Sequence, residues 1–151
     1  MMSKIFGGLA VAATLAMGLS TAAMADAKAA IEAREACMKG HAAMMKVMVP
    51  IIKGEAKYDK AAIDDAIAKS DAGCAGWADW WGEDTKPGGA VKTEAKLEIW
   101  SDPKGFEAAA MNYMKAQEAV KASADEASFK AAFPALGGAC KACHEKFRQA
   151  D

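Results

Sequence analysis

The sequence predicts an all-α protein folded as an antiparallel four-helix bundle. Ala, Lys, Glu and Met are plentiful while Val, Ile and Thr are sparse, which favours helix over sheet. Four stretches repeat apolar residues at helical spacing, and no stretch alternates as a strand does. Four amphipathic helices with three connections are typical of such a bundle. Hydrophobic residues make up 53% of the 151-residue chain, enough for one domain with a sizeable core.

Residues 1–25 are predicted to be a secretory signal peptide. Lys4 supplies the positive start, an apolar run follows, and the Ala-Met-Ala at 23–25 fits the small-x-small cleavage rule. A membrane helix is the rival interpretation, but interspersed glycines and hydroxyl residues weaken it. Cleavage before Asp26 would leave a mature domain of residues 26–151 that is not inserted in a membrane. In a bacterial cell, export would place this domain in the periplasm.

The first predicted helix covers about Lys28 to Ile52. Its apolar positions alternate steps of three and four residues, as on a buried helix face. The stripe consists of Ile31, Met38, Ala42, Met45, Val49 and Ile52, with Glu35 as an exception. Pro50 lies near the end, and the segment Lys53-Gly54-Glu55 predicts a turn.

The second predicted helix starts near Asp59, a suitable N-cap. Its stripe consists of Ile63, Ile67, Ser70, Cys74, Trp77 and Trp81. Gly73 and Gly76 weaken the last part, so the end of this helix stays open. A long irregular connection is expected to reach about Trp100.

The third predicted helix opens at Ser101-Asp102-Pro103, with Pro103 at the first helical position. The residues expected to face inward are Phe106, Ala110, Tyr113, Met114 and Val120. The fourth helix is predicted to begin with a capping box formed by Ser123 and Glu126. Its stripe consists of Phe129, Phe133, Leu136, Cys140, Cys143 and Phe147. Pro134 predicts a kink or a missing backbone hydrogen bond in this helix.

The segment Cys140-Lys141-Ala142-Cys143-His144 is typical of c-type haem attachment. The two thiols would form thioether bonds to one covalent haem c, and His144 would bind the iron. On a helix, positions i, i+3 and i+4 share a face, so all three side chains point at one ligand. A redox dithiol does not need the histidine, and a zinc site needs a second ligand pair. Gly137 and Gly138, just before the motif, would allow a close approach of the haem or of a neighbouring helix.

The residue opposite His144 on the iron decides the function. The first helix offers five candidates: Met38, Met44, Met45, Met48 and His41. Periodicity alone leaves them open, because methionine in a buried helix usually only packs and a histidine on the flank is usually solvated.

The chain resembles the cytochrome c′ family over nearly the whole mature part, least so between residues 72 and 98. It is most similar to the low-spin cytochrome c-556 branch. The matching residues are Met38-Lys39, Met44-Met45, Lys53-Gly54-Glu55, Tyr58-Asp59, Ile99-Trp100, Ala139-Cys140, Cys143-His144-Glu145 and Phe147-Arg148.

This resemblance implies that Met38 and His144 are the axial ligands, because the spacing back from Lys53 places the methionine of the low-spin branch on Met38. It further implies a periplasmic single-electron carrier that is not an enzyme and that exchanges electrons with redox partner proteins. High-spin family members have an open sixth site, so a protein that binds NO or CO is the alternative. A peroxidase-like enzyme is disfavoured, because only His41 could act as a distal acid–base group. The sequence leaves open whether the domain forms a homodimer, and its net charge of −1 argues against a nucleic-acid partner.

Cys37 and Cys74 remain after the haem takes two cysteines. They lie about equally far from the turn near residues 55–56, so they should face each other between the first two helices, and a disulfide is expected. Two buried free thiols are the alternative. Arg34 is a candidate partner for a haem propionate, and Arg148 for the haem edge or the helix terminus. The tryptophans at 77, 80 and 81 are expected to pack in the core and against the haem edge.

Overall fold

Helix α1 spans Ala16–Lys53 and comprises 38 residues. The computed structural model describes residues 16–149, with side chains described from Met24 onward except for Ala25. Most of the predicted signal peptide lies outside the described residues, and residues 16–25 are helical and continuous with α1. The helix thus begins before the predicted start at Lys28, since the alanine-rich segment ahead of it also favours helix. No helix in the described range is both long and apolar enough for a bilayer span.

The end of α1 confirms the predicted turn. Gly54 takes a positive φ of 74°, a conformation that costs glycine nothing. Its amide donates to the carbonyl of Ile51 at 3.1 Å, and the amide of Glu55 donates to the carbonyl of Pro50 at 2.8 Å. These bonds satisfy the last carbonyl groups of the helix.

Helix α2 spans Lys60–Ala72, and Asp59 is its N-cap as predicted. The Asp59 carboxylate accepts a hydrogen bond from the amide of Ala62 at 3.0 Å. The expected stripe extends past the end of the helix, because α2 stops at Ala72, directly before Gly73. Only short 3-10 turns follow, at Trp77–Asp79 and Glu83–Thr85. Glycine is a poor helix residue, and two of them here end the element.

The one-turn helix α3, Glu98–Ser101, lies where the sequence predicted only an irregular connection, and its Ile99 is buried. Helix α4 spans Pro103–Lys121 and begins as predicted. Asp102 is its N-cap, and the carboxylate accepts a hydrogen bond from the amide of Gly105 at 3.0 Å.

Helix α5 spans Glu126–Phe147, but the predicted capping pair is wrong. Asp125 is the N-cap, its carboxylate accepts from the amide of Ser128 at 2.8 Å, and the Ser128 hydroxyl lies 3.2 Å from the Asp125 amide. The hydroxyl of Ser123 instead donates to the carbonyl of Ala119 at 3.2 Å, so Ser123 completes the end of α4. Asp is an equally good N-cap residue, and it lies nearer the helix. The motif cysteines lie on α5 and are half-buried.

The buried stripe of α1 differs from the predicted one. The buried residues are Ala27, Ile31, Arg34, Cys37, Met44, Met48 and Ile51, whereas Met38 and Met45 are half-buried and Ala42 is exposed. On α4, Met114 is 57% exposed and Gln117 is buried, contrary to the expectation for Met114. Several of the residues that are less buried than predicted line a cavity described below.

The four long helices form the predicted antiparallel bundle, in which α1 packs on α2 and α4 packs on α5. The turns after α1 and α4 meet at one end, where the Tyr58 hydroxyl donates to the carbonyl of Ser123 at 2.9 Å. The core occupies this end of the bundle. It consists of Met44, Met48, Ile51, Ile63, Ile67, Ala116, Val120, Phe129 and Leu136.

Candidate haem site

The other half of the bundle contains a cavity of about 660 Å³, and α5 brings the whole predicted attachment motif to its wall. Cys140, Cys143 and His144 all line the cavity, and both cysteines are free thiols. The half-buried position of the thiols follows from this placement. Burial raises the pKa of both cysteines, so they are protonated at neutral pH.

A second cavity of about 500 Å³ adjoins the first. The two share six lining residues: Met38, Ala42, Trp77, Phe106, Cys143 and His144. They are therefore two parts of one cleft, which is walled by residues of α1, α4 and α5 and of the chain after α2. His144 is exposed toward this cleft; burial lowers its pKa, Arg148 lowers it further, and Glu94 raises it.

The structure separates the five first-helix candidates for the sixth coordination position. Met44 and Met48 are 1% and 0% exposed and belong to the core, so neither reaches the cleft. Met38, His41 and Met45 line the cavity of about 660 Å³. Of these three, Met38 alone also lines the second cavity with His144. Met38 is therefore the candidate that lines both parts of the cleft together with His144.

His41 is not the solvated flanking residue that its position in the sequence favoured. It is half-buried, and its ring lies against the ring of Tyr113 with 4.7 Å between the centroids. Nε2 lies 3.5 Å from Sγ of Cys74. Burial lowers the pKa of His41, while Asp71 raises it and His144 lowers it. The imidazole is therefore neutral at pH 7.

Cys37 and Cys74 are joined by a disulfide in the structure, with 4.9 Å between their Cα atoms. The register argument from the sequence placed them at one level of the first and second helices, but Cys74 lies in the chain after α2, which ends at Ala72. The ligand atoms of Cys37, His41 and Cys74 lie within 4.8 Å of one another, a spacing that a metal ion could use. The disulfide occupies both sulfur atoms, so this cluster is not a metal site.

Aromatic side chains line the cleft. They include Trp77 and Trp81 of the three tryptophans predicted to pack there, whereas Trp80 lines neither cavity. Trp77 lies 5.8 Å from Phe106 between ring centroids, and Trp81 lies 4.7 Å from Phe106. Phe106 in turn contacts the ring of Phe147 at 5.1 Å. All four line the cleft, and their rings offer the flat apolar contact surface that a porphyrin requires.

Arg34 lies on the wall of the second cavity and is 6% exposed. Its Nε donates to the carbonyl of Trp80 at 2.9 Å. Its Nη2 donates to the same carbonyl and to the Thr85 hydroxyl. The guanidinium also lies 4.2 Å from the centroid of the Trp81 ring. Burial lowers its pKa to about 10, against the raising effect of Asp84. Nη1 is buried without a hydrogen-bond partner, so one donor is left to bind an anionic group.

Arg148 also lines the second cavity. Its Nε lies 2.8 Å from the Glu94 carboxylate, and the backbone of the same residue pairs with Ala95. Hydrogen bonds from Lys96 to the carbonyl of Phe147 and from Gln149 to the carbonyl of Glu94 extend this contact. The connection before α3 is thereby fixed to the end of α5, beside His144.

Sequence reasoning missed a polar group on the cavity wall. Gln117 donates to the Asp71 carboxylate at 3.0 Å and to the Tyr113 hydroxyl at 2.9 Å. All three residues line the cavity. Tyr113 was placed inward by its periodicity, but polar Gln117 and Asp71 carry no such signal. Only the packing of α4 against α2 brings them together.

These residues fit a covalently attached haem. The cleft has two thiols and a histidine on one helical face, a half-buried methionine on the opposite helix, and an unpartnered guanidinium donor at its edge. A Cβ added at Gly137, which lines the cavity, or at Gly138 would meet no atom within 4 Å, so no neighbouring helix approaches this part of α5 closely.

Comparisons with known proteins agree with the fold and the motif. Residues 29–148 match the family model described as Cytochrome C′. Cytochrome c′ of Cereibacter sphaeroides is 34% identical over 145 residues, covering 90% of this chain and 94% of that protein. Cytochrome c-556 of Rhodopseudomonas palustris is 28% identical over 138 residues, covering 88% and 91%. A nitric oxide complex of a mutant cytochrome c prime from Alcaligenes xylosoxidans superposes with a TM-score of 0.71 at 28% identity, covering 82% and 97%. The chain therefore belongs to the cytochrome c′ family of proteins with covalently bound haem c.

Proposed function

We propose that this cytochrome is a low-spin, single-electron carrier of the periplasm, with Met38 and His144 as the axial ligands of its haem iron. One observation carries the proposal. Among the first-helix candidates, Met38 alone shares both parts of the cleft with His144. A thioether and an imidazole on opposite sides would saturate the iron.

Each residue of the motif has a separate task in this proposal. Cys140 and Cys143 bind the haem vinyl groups through thioether bonds, which fix the cofactor to α5. His144 on α5 and Met38 on α1 would bind the iron. When bound, haem c supplies reversible one-electron chemistry. The ligands raise its reduction potential compared with a harder ligand set.

The surroundings of the cleft tune the cofactor rather than act on a substrate. The aromatic rings of Trp77, Trp81 and Phe106 line the cleft and would exclude water from a bound haem. Arg34 offers its unpartnered Nη1 to a propionate, and Arg148 sets the field near His144. We assign no catalytic residue and no enzymatic activity to this chain.

The cellular setting is part of the same proposal. The predicted signal peptide at 1–25 would direct export, and the mature domain would begin at Asp26. Haem attachment to the motif needs an exported chain in bacterial cells, so both signals point to the periplasm. Redox proteins there would donate and accept the electron, and the domain acts without membrane insertion.

The absorption spectrum of the oxidised holoprotein tests the ligand set. We expect the weak far-red charge-transfer band of a methionine–iron bond, together with a low-spin spectrum. Met38→Ala should abolish this band. Met45→Ala is the matched control, because Met45 lines the same cavity, and it should keep the band. A wild-type spectrum without the band would contradict Met38 ligation.

A gas-binding protein is the second candidate function. One of the structural relatives is a nitric oxide complex, and the cleft around Met38 has mostly apolar walls. In that case the sixth ligand would be absent or readily displaced. Rapid binding of CO by the reduced wild-type protein would favour this function over electron transfer.

A further inference from the structure

We propose that His41 is a second distal ligand, able to bind the haem iron in place of Met38. The inference rests on the proposed function, since it requires a haem between α1 and α5 with His144 on the proximal side. It adds a ligand exchange that the function itself does not need.

The placement of His41 on α1 is the first argument. It lies three residues after Met38, which on an α-helix is a rise of about 4.5 Å and a rotation of about 60° from the same face. Both side chains line the cavity of about 660 Å³ together with His144. The helix therefore presents a thioether and an imidazole from adjacent positions of one wall toward the wall that carries the attachment motif.

The surroundings of the imidazole are the second argument. Among the described residues, the hydrogen-bond contact found for His41 is the one of 3.5 Å between Nε2 and Sγ of Cys74. A disulfide sulfur is a weak acceptor. The other close neighbour is the tilted ring of Tyr113. Neither contact binds the ring nitrogen strongly, so Nε2 is available to a stronger partner inside the cavity.

The remaining methionines cannot take this role as readily. Met44 and Met48 are packed in the core. Met45 lines the cavity, but it lies seven residues after Met38, about 10.5 Å further along the helix axis. Exchange of Met38 for His41 would keep the iron six-coordinate and would lower its reduction potential, because methionine ligation is the one that raises it.

Four oxidised holoproteins test the exchange at neutral pH by absorption and electron paramagnetic resonance: wild type, Met38→Ala, Met38→Ala/His41→Ala and Met38→Ala/Met45→Ala. We expect Met38→Ala to lose the methionine band but to stay low-spin, with the signature of two imidazole ligands. The double variant without His41 should be high-spin, and the double variant without Met45 should resemble Met38→Ala. A high-spin Met38→Ala protein would overturn the inference while leaving the proposed function intact.

If the wild-type spectrum lacks the methionine band, this result contradicts Met38 ligation and therefore the proposed ligand set. His41→Ala then decides the inference alone. Conversion of a low-spin wild type to a high-spin protein would show that His41 binds the iron, and an unchanged spectrum would overturn that role. Far-ultraviolet circular dichroism and the haem content of each variant show that the bundle has folded and carries its cofactor.

Discussion

The direction in which a side chain points decides what it contacts in this bundle, as Met38 and His41 show. They lie one helical turn apart on α1 and face the same cavity, whereas Met44 and Met48 face the core. Composition treats Met38, Met44, Met45 and Met48 as equivalent. Their chemistry differs because a rotation of about 100° per residue sends neighbouring side chains to different partners.

Arg34 gives a testable prediction about the contribution of a single side chain to stability. Its guanidinium donates to the Trp80 carbonyl and the Thr85 hydroxyl and lies over the Trp81 ring, all within the chain that follows α2. Arg34→Ala would leave a carbonyl without its donor, so we expect the free energy of unfolding to fall by about 2–3 kcal/mol in urea titrations. Arg34→Lys should recover only part of this loss, because an ammonium cannot replace the planar fork of donors.

Lys28→Ala is the control for Arg34→Ala on the same helix. Among the described residues, the contact found for Lys28 is an exposed ion pair with Glu32, and removal of Lys28 should change stability by less than about 0.5 kcal/mol. Equal losses in the two variants would show that the Arg34 contacts do not stabilise the protein.

Most helix starts in this bundle could be predicted, because they depend on capping residues that lie close to the helix in the sequence. Asp59 caps α2 and Asp102 caps α4 as expected, since a carboxylate close before a helix accepts its free amides. The start of α5 was misassigned because Ser123 and Asp125 both fit a capping position. Asp125 is the N-cap, because the Ser123 hydroxyl already donates a hydrogen bond to the last turn of α4.

The cap of α4 is also a contact between elements and gives a pH-dependent prediction. The Asp102 carboxylate lies 2.6 Å from Nζ of Lys146 on α5, and hydrogen bonds from Lys146 and Gly105 lower its pKa. A lowered pKa means that the folded state binds fewer protons, so this contribution is complete above the unfolded-state pKa and is lost as the pH falls through the folded-state pKa. Asp102→Ala should lower the thermal midpoint at pH 7, and the difference from wild type should shrink in acid.

Asp102→Asn separates the cap from the charge. The amide keeps an oxygen that can cap the helix, but it does not titrate and cannot form the ion pair with Lys146. We expect a smaller loss at pH 7 than for alanine. If the difference between Asp102→Ala and wild type stayed constant from pH 7 into the acid range, the lowered pKa would not contribute to stability.

The whole molecule is divided into a packed half and an open half. Its core lies at the end where the turns after α1 and α4 meet, and its cleft lies beside Cys140–His144. None of the residues of this core lines the cavity. The Cys37–Cys74 disulfide lies in the open half and lines the cavity.

Removal of this disulfide should therefore be costly. It links residues separated by 37 positions, and a closed loop of this size restricts the unfolded chain by about 3–4 kcal/mol. The Cys37→Ser/Cys74→Ser protein should lose about that amount of stability in urea titrations, with the Ala/Ala pair as a control for the polar hydroxyls. Thiol titration of denatured, unreduced holoprotein provides the direct check. Two reactive thiols would contradict the bond.

The sequence by itself determined the properties that depend on near neighbours along the chain. The amphipathic periods predicted the bundle, the caps predicted most helix starts, and the spacing Cys140–His144 predicted covalent haem c. The tertiary structure alone decided that Gln117 and Asp71 meet, and that Met38 and His41 face the cleft while Met44 and Met48 do not. Helical periodicity marks an apolar side of a helix, but α1 has two, one against the core and one against the cleft. Which side chain meets which is settled by the packing of helices distant in sequence.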